Sequence, residues 1–165
     1  MHEEIIQVSE NPLKNCDYID TSYYDEDHWF LKEVADYVAE SNRGLDIRAF
    51  ESCMVKYGFE FGKDEFGQYF TIADKVRYFK ESYKAFRKHL ASLQEVTLES
   101  FSEYNPATEN SLFNLMYSYE DKFSIYIHDS TYAQENSILI PIDEFVRLSK
   151  PNKKYYIGGT LDYHR

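Results

Sequence analysis

The chain has 165 residues, of which 43% are hydrophobic and 28% charged, and its 29 acidic and 18 basic side chains give a formal net charge of −11. This composition is typical of a folded domain and excludes collagen-like, low-complexity and wholly disordered chains. The negative charge argues against a general nucleic-acid binder, because phosphate binding requires an excess of lysine and arginine.

Two helices are predicted in the first third of the chain. The first covers about residues 27–41 and ends at the sequence Asn42-Arg43-Gly44, where the glycine can adopt a left-handed conformation. The second covers about residues 45–57 and ends at Gly58. Residues 58–70 contain three glycines among five aromatic side chains, which predicts a short hairpin or an aromatic-rich loop.

The longest predicted helix covers residues 71–94, with Thr71 as its N-cap. Its apolar residues recur at alternating steps of four and three, which places them on one face of a helix and predicts that this face packs in the core. They are Ile72, Val76, Phe79, Tyr83, Phe86, Leu90 and Leu93. Six basic side chains between Lys75 and Lys88 predict a solvated outer face or ion pairs with the acidic N-terminal segment, and an anion-binding surface is the alternative.

The hydrophobic period changes after about residue 96. Apolar and polar residues alternate at 113–119 and again at 123–127, on either side of the polar sequence Glu120-Asp121-Lys122. Two runs of period two joined by a short polar turn predict a β-hairpin.

A third strand is predicted at residues 137–142, and Pro141 restricts it to an edge or to the end of the strand, since proline donates no backbone hydrogen bond. Asp143 can cap a short helix after this strand. The last predicted strand covers residues 154–157, and Gly158-Gly159 indicates a bend or a bulge that follows it.

These elements predict the α+β class, with about three N-terminal helices followed by a C-terminal antiparallel β-sheet that carries one short helix. We expect a single domain over residues 1–165. It would consist of an acidic and partly irregular segment at 1–24, a helical part at 25–95 and a mainly β part at 96–165.

Motifs for catalysis and cofactor binding are weak. The sequence has neither a G-x-G-x-x-G nor a Walker phosphate loop, and its histidines lack metal-ligand spacing. His128-Asp129-Ser130 has the residue types of a catalytic triad, but consecutive strand residues point to opposite faces, so a strand end that leads into a turn is the better interpretation. We therefore expect no catalysis, no cofactor and no metal. The alternative is a small enzyme whose site lies at the C-terminal sheet, around His128, Asp129 and Glu144.

The cellular compartment is predicted from the membrane, secretion and disulfide signals that the sequence lacks. No apolar run approaches the roughly 20 residues of a membrane-spanning helix, and the first residues do not resemble a secretory signal. The cysteines, Cys16 and Cys53, form neither a disulfide framework nor a metal cluster. A cytoplasmic protein without membrane contact is expected.

The strongest candidate for a binding site is the segment of residues 17–27, which interleaves carboxylates with tyrosines and contains no basic residue. Tyrosine supplies rigid contact area, and carboxylates complement a cationic partner. The partner-binding candidates are Asp17, Asp20, Tyr23, Tyr24, Asp25, Glu26 and Asp27. An ordinary solvated loop whose rings cover the core is the alternative.

Together these features favour a small acidic binding protein that inhibits a cationic protein partner. An immunity or antitoxin protein that neutralises a toxin, such as a nuclease, fits the size, the charge and the weak catalytic motifs. A phage-type anti-defence or nucleic-acid-mimic protein would share these features. We expect no direct contact with nucleic acid, and the small enzyme is retained as the third alternative.

Overall fold

The computed structural model describes residues 2–120, 123–132 and 137–165, and a mixed sheet of seven strands extends through them. Its strands are β1 (His2–Ser9), β2 (Tyr37–Glu40), β3 (Phe59–Asp64), β4 (Gly67–Ile72), β5 (Ile125–Asp129), β6 (Ile138–Pro141) and β7 (Tyr155–His164). The helices are α1 (Trp29–Glu33), α2 (Arg43–Met54), α3 (Lys75–Gln94), α4 (Leu98–Phe101), α5 (Pro106–Glu120) and α6 (Ile142–Leu148).

β7 and β1 form the centre of the sheet as antiparallel neighbours. Beyond β1, the sheet continues to β5, which is parallel to β1, and then to β6, which is antiparallel to β5. The other edge of β7 is shared by β4, which pairs with its first residues, and β2, which pairs with its last. β3 is the outer strand beside β4. The antiparallel pair of β1 and β7 therefore joins the two ends of the sequence at the centre of the sheet.

This topology shows that the predicted fold class is wrong. The chain begins with a central strand, the helices are interspersed among the strands, and the sheet is mixed rather than purely antiparallel. The sequence Ile5-Ile6-Gln7-Val8 lies within β1 and has no alternation, because both faces of that strand are buried. Alternation identifies strands that are buried on one face only, so it overlooks a strand of this kind.

Two of the predicted helices are corrected at their ends. The helix predicted at 27–41 is reduced to α1, and its second half forms β2 at the edge of β7. Asn42 does not end that helix but begins α2, since its side chain accepts the backbone N–H of Leu45. The remainder of α2 with the 3₁₀ turn that follows it confirms the helix predicted at 45–57, and the hairpin of β3 and β4 is the first of the two structures predicted for residues 58–70. Gly58 ends the helix as predicted, with a positive φ of 89°.

The long helix is confirmed over Lys75–Gln94, but residues 71 and 72 belong to β4 and Asp74 is its N-cap. The predicted apolar stripe is only partly correct, since Val76 is 80% exposed and Tyr83 is 61% exposed. Tyr78 is instead fully buried, and its hydroxyl donates to Asp143. Asp143 thus lies within α6 as a buried acceptor, whereas Pro141 stands at the N-cap position.

The strand predicted at 113–119 is wrong, because these residues belong to α5. A proline at the first helical position and an asparagine before it begin this helix: the Asn105 side chain accepts the N–H groups of Ala107 and Thr108. That start signal is more informative than the short alternating run. Asp121 and Lys122 of the predicted turn lie outside the described residues.

Alternation along the central strands places a core on each face of the sheet. Ile6 and Ile127 pack with residues of α2, α3 and α6, whereas their neighbours Ile5 and Tyr126 pack against residues 19–38. A bulge interrupts β7. Ile6 pairs with Thr160 and Val8 pairs with Ile157, so that Gln7 alone lies opposite two residues, Gly158 and Gly159. The extra residue reverses the facing of odd-numbered residues, so Tyr155 lies on the helical face and Leu161 on the opposite face.

Candidate functional site

The face of the sheet opposite α2 is covered by residues 10–36, which we call the acidic cover. Apart from α1 and two single 3₁₀ turns at Asn15–Asp17 and Thr21–Tyr23, this segment has no regular structure. Most of its apolar side chains pack against the sheet, whereas Trp29 is 42% exposed. Phe30 is fully buried, with its ring centroid 4.9 Å from that of Tyr126 and 5.1 Å from that of Tyr163. An irregular segment is thereby fixed by aromatic packing rather than by a backbone ladder.

Gln7 of β1 fastens the cover to the sheet. Its amide oxygen accepts the N–H groups of Ile19 at 3.0 Å and Gly159 at 2.8 Å. Its amide nitrogen donates to the carbonyl of Asp17 and to Ser130 Oγ, each at 3.0 Å. All four hydrogen-bonding positions of one buried side chain are therefore used. A Cβ at Gly158 would lie 2.3 Å from the Gln7 amide oxygen, so the glycine of the bulge makes room for this side chain.

A second attachment joins Tyr24 of the cover to His128 of β5. The Tyr24 hydroxyl lies 2.8 Å from His128 Nδ1, and both side chains are buried. Burial lowers the pKa of His128 to about 4, with a smaller contribution from His28, so the ring is neutral at physiological pH. Burial also lowers the pKa of His28, whose Nδ1 accepts the N–H of Phe30. The histidines here are structural hydrogen-bonding groups rather than cations.

The carboxylates of the cover point outward. Between residues 17 and 36 seven acidic side chains are exposed, against one exposed lysine. They are Asp17, Asp20, Asp25, Glu26, Asp27, Glu33 and Asp36. Asp27 and Lys32 form an exposed ion pair at 2.9 Å, and hydrogen bonds from Ser22 lower the pKa of Asp20. The result is a negatively charged surface on a layer that Gln7 and His128 of the sheet attach by hydrogen bonds.

The seven predicted partner-binding residues thus fall into two groups. Asp17, Asp20, Asp25, Glu26 and Asp27 are exposed on the acidic cover. The two tyrosines are not equivalent: Tyr24 is only 4% exposed, whereas Tyr23 is half-buried and its hydroxyl bonds Ser137. Tyr23 is therefore accessible from outside, whereas Tyr24 supports the surface from within.

A cavity of about 630 Å³ opens between the cover and the ends of β1 and β5. Its lining is mostly polar or aromatic and includes Gln7, Cys16, Asp17, Tyr18, Asp20, Tyr23, His128, Ser130 and Tyr132. Part of the segment 17–27, predicted from its carboxylates and tyrosines, and His128, predicted from its position at a strand end, therefore line the same cavity.

The residues of the alternative enzyme site do not converge. His128 bonds Tyr24, Asp129 accepts from the backbone N–H of Thr131, and Ser130 accepts from Gln7. Glu144 is exposed on α6, which packs on the other face of the sheet. Among the residues described, no group of three or more histidine, cysteine, aspartate or glutamate side chains is placed to hold a metal ion.

Sequence reasoning missed Gln7. Its signal was a single amide side chain within the apolar run Ile5-Ile6-Gln7-Val8, which indicates a buried polar group with several partners. No helix within the described ranges has the length and hydrophobicity needed to cross a bilayer.

Comparisons with known proteins found no significant match to the chain, whether among protein-family models, curated proteins or solved structures.

Proposed function

We propose that this chain is a small acidic binding protein of the cytoplasm that uses the acidic cover to bind and inhibit a cationic protein. The observation that carries the proposal is the exposure of seven carboxylates against one lysine over 20 residues of a single layer. Such a surface attracts a positively charged partner and accelerates its association.

The attachment of the cover to the sheet supports a role in binding. Gln7, Tyr24 and Phe30 fix the backbone that carries the carboxylates, so less conformational entropy is lost when a partner binds. Tyr23 adds an aromatic ring at the mouth of the cavity. A lysine or arginine side chain of the partner can enter there between the ring and the carboxylates of Asp17 and Asp20.

The finer form of the proposal is an immunity or antitoxin protein. A toxin that cleaves nucleic acid has a cationic active site, and an acidic surface of this kind would cover it. A phage-type anti-defence protein or nucleic-acid mimic would use the same carboxylates against a nucleic-acid-binding host protein. The identity of the bound partner distinguishes these two forms.

Affinity capture from the source cells, with matched charge variants, tests the general proposal. The cover variant carries Asp20→Asn, Asp25→Asn and Asp27→Asn, and the amide that replaces the Asp20 carboxylate still offers an oxygen for the cap. The control carries Glu51→Gln, Glu60→Gln and Glu65→Gln, three exposed carboxylates outside the cover. Both variants lose three negative charges, so only the location of the lost charge differs.

We expect the wild-type chain and the control to retain the same basic protein, with the cover variant associating at least tenfold more slowly at low salt. Tyr23→Ala should accelerate dissociation instead. If the captured protein is toxic on expression and co-expressed wild-type chain restores growth, the immunity or antitoxin form is supported. Equal binding by the cover variant and the control would show that the cover is not the contact surface.

A second candidate is a small enzyme or ligand-binding protein that uses the cavity beside His128. Its volume of about 630 Å³ falls within the roughly 300–1,000 Å³ of small-molecule sites. A metabolite panel that raises the melting temperature of the wild type but not of His128→Asn would favour this candidate.

A further inference from the structure

In the helical hairpin of residues 75–120, α5 has most of its large apolar side chains on its outer side. α3 and α5 lie against each other: the ring centroids of Phe86 and Tyr119 are 6.3 Å apart, and Ser92 and Ser111 line one cavity between the helices. The α5 residues turned towards α3 are half-buried and mostly small or polar. They are Thr108, Ser111, Asn114, Leu115 and Ser118.

The outer side of α5 carries large apolar side chains. Phe113 is 68% exposed, Met116 63%, Tyr117 58% and Leu112 50%. At 100° per residue these four positions occupy one side of the helix. The rings of Phe113 and Tyr117 are nearly parallel, with centroids 6.2 Å apart. We call these four residues the α5 face.

Three further apolar side chains are exposed at the tip of the hairpin. Leu98 and Phe101 of α4 are 80% and 75% exposed, and Tyr104, which follows α4, is 79% exposed. A large side chain has a surface of about 150–250 Å², and these three residues and the four of the α5 face are 50–80% exposed. Together the seven side chains present on the order of 700 Å² of apolar surface. Two such surfaces would bury roughly 1,400 Å², which is within the range of specific interfaces.

The charge of the hairpin favours a second copy of this chain as the occupant. Residues 75–120 contain six basic and six acidic side chains, within a chain whose net charge is −11. The sequence between Asn110 and Ser118 has no charged residue at all. Two copies can therefore approach through their hairpins without the repulsion that two acidic covers would impose, and the cores of homodimer interfaces are similarly depleted of charge.

We propose that the chain forms a two-fold symmetric dimer in which the two α5 faces pack against each other. A two-helix hairpin that carries an apolar face on its outer side resembles half of a four-helix bundle, and a second hairpin supplies the missing half. The same patch serves both protomers, as an isologous interface requires. A membrane surface fits this face less well, because the polar residues of α5 include no lysine or arginine.

Sedimentation equilibrium of the full chain at 1–100 µM tests this proposal. The wild type should sediment at twice the protomer mass, and Phe113→Glu with Met116→Glu should raise the dimer dissociation constant by roughly 100-fold. The matched control is Val55→Glu with Phe66→Glu, at positions 47% and 57% exposed outside the hairpin. The control should remain dimeric. A wild-type chain that is monomeric at 100 µM would overturn the proposal.

Disulfide trapping provides a second measurement that does not depend on the folding of the glutamate variants. In a Cys16→Ser background, Met116→Cys should give a covalent dimer under mild oxidation, because the α5 faces lie together across the two-fold axis. Val76→Cys, at a position 80% exposed on α3, should stay monomeric. Equal trapping of both variants, or binding of monomeric wild type to phosphatidylcholine–phosphatidylserine vesicles, would contradict the dimer.

Discussion

The acidic cover and the helical hairpin are layers attached to the same sheet, but they distribute their side chains in opposite ways. The cover turns Tyr24 and Phe30 inward and its carboxylates outward, whereas α5 turns serine and threonine inward and Phe113 and Tyr117 outward. In the cover, the buried rings of Tyr24 and Phe30 supply stability and the carboxylates face outward. In α5 the rings of Phe113 and Tyr117 are themselves exposed, so the same residue type has a different environment in each layer.

The largest expected effect is the difference in stability between removing an aromatic ring from the cover and removing one from the hairpin. Phe30→Ala should lower the free energy of unfolding by about 3–5 kcal/mol, because its fully buried ring contacts those of Tyr126 and Tyr163. Phe113→Ala should change it by less than about 0.5 kcal/mol in the monomeric state, since that ring is 68% exposed. Urea unfolding at low protein concentration measures both values. Equal losses of unfolding free energy would show that Phe30 and Phe113 are equally important to the core, which contradicts the contrast between the two layers.

The next effect concerns the attachment of the cover. Gln7→Met keeps the length of the side chain but leaves the N–H groups of Ile19 and Gly159 without their acceptor. We expect a loss of about 2–4 kcal/mol and faster proteolysis within residues 10–36, with no faster cleavage in the hairpin. Gln68→Met, at a half-buried position of β4, is the control and should be nearly neutral. If cleavage accelerates equally in both layers, Gln7 stabilises the whole fold rather than the cover.

The cover should also be weakened by acid. The buried His128 ring has a pKa lowered to about 4, whereas the unfolded chain takes up this proton near pH 6.5. The unfolded state therefore binds more protons between these values, and stability falls as the pH decreases from about 6.5 to 4, by about 2–3 kcal/mol. His128→Asn retains a hydrogen-bonding group for Tyr24 but cannot titrate. Unfolding curves of the two proteins should converge as the pH falls, and parallel pH dependences would contradict the assignment.

The smallest effect concerns Glu4, on the helical face of the sheet, where stability depends on pH in the opposite direction. Burial, with smaller contributions from the nearby carboxylates of Asp46 and Asp162, raises the pKa of Glu4 to about 7. The folded state binds more protons between about pH 4.5 and 7, so stability falls as the pH rises through this window. Glu4→Gln should therefore stabilise the protein at pH 8 by about 1 kcal/mol, after allowance for solvent screening, and have little effect at pH 5. A melting temperature unchanged at both pH values would contradict it.

The sequence predicted those elements that local chemistry determines. α2, the β3–β4 hairpin and most of α3 follow from apolar spacing and from Gly58. The bulge at Gly158-Gly159 is one of the two possibilities that the glycine pair indicates, but its consequence for the facing of β7 requires knowledge of its partner Gln7.

The errors have two physical causes. β1 and β2 owe their existence to pairing with β7, more than 100 residues away in the sequence, and no local pattern reports such a pairing. The alternation at 113–119 is misleading because α5 has polar residues inside and apolar residues outside, so its pattern does not indicate a core. The exposed carboxylates of the site are predictable from composition, whereas their support by Gln7 and Tyr24 depends on these same long-range pairings.

Hydrogen exchange on the complex with the captured basic protein tests the role of the acidic cover most directly. The measurement compares the free chain and the complex, peptide by peptide, at one concentration of the chain. We predict slower exchange in the complex for peptides within residues 17–36 and unchanged exchange for peptides of residues 106–120. Slower exchange at 98–120, with residues 17–36 unchanged, would show that the hairpin and not the acidic cover binds the partner.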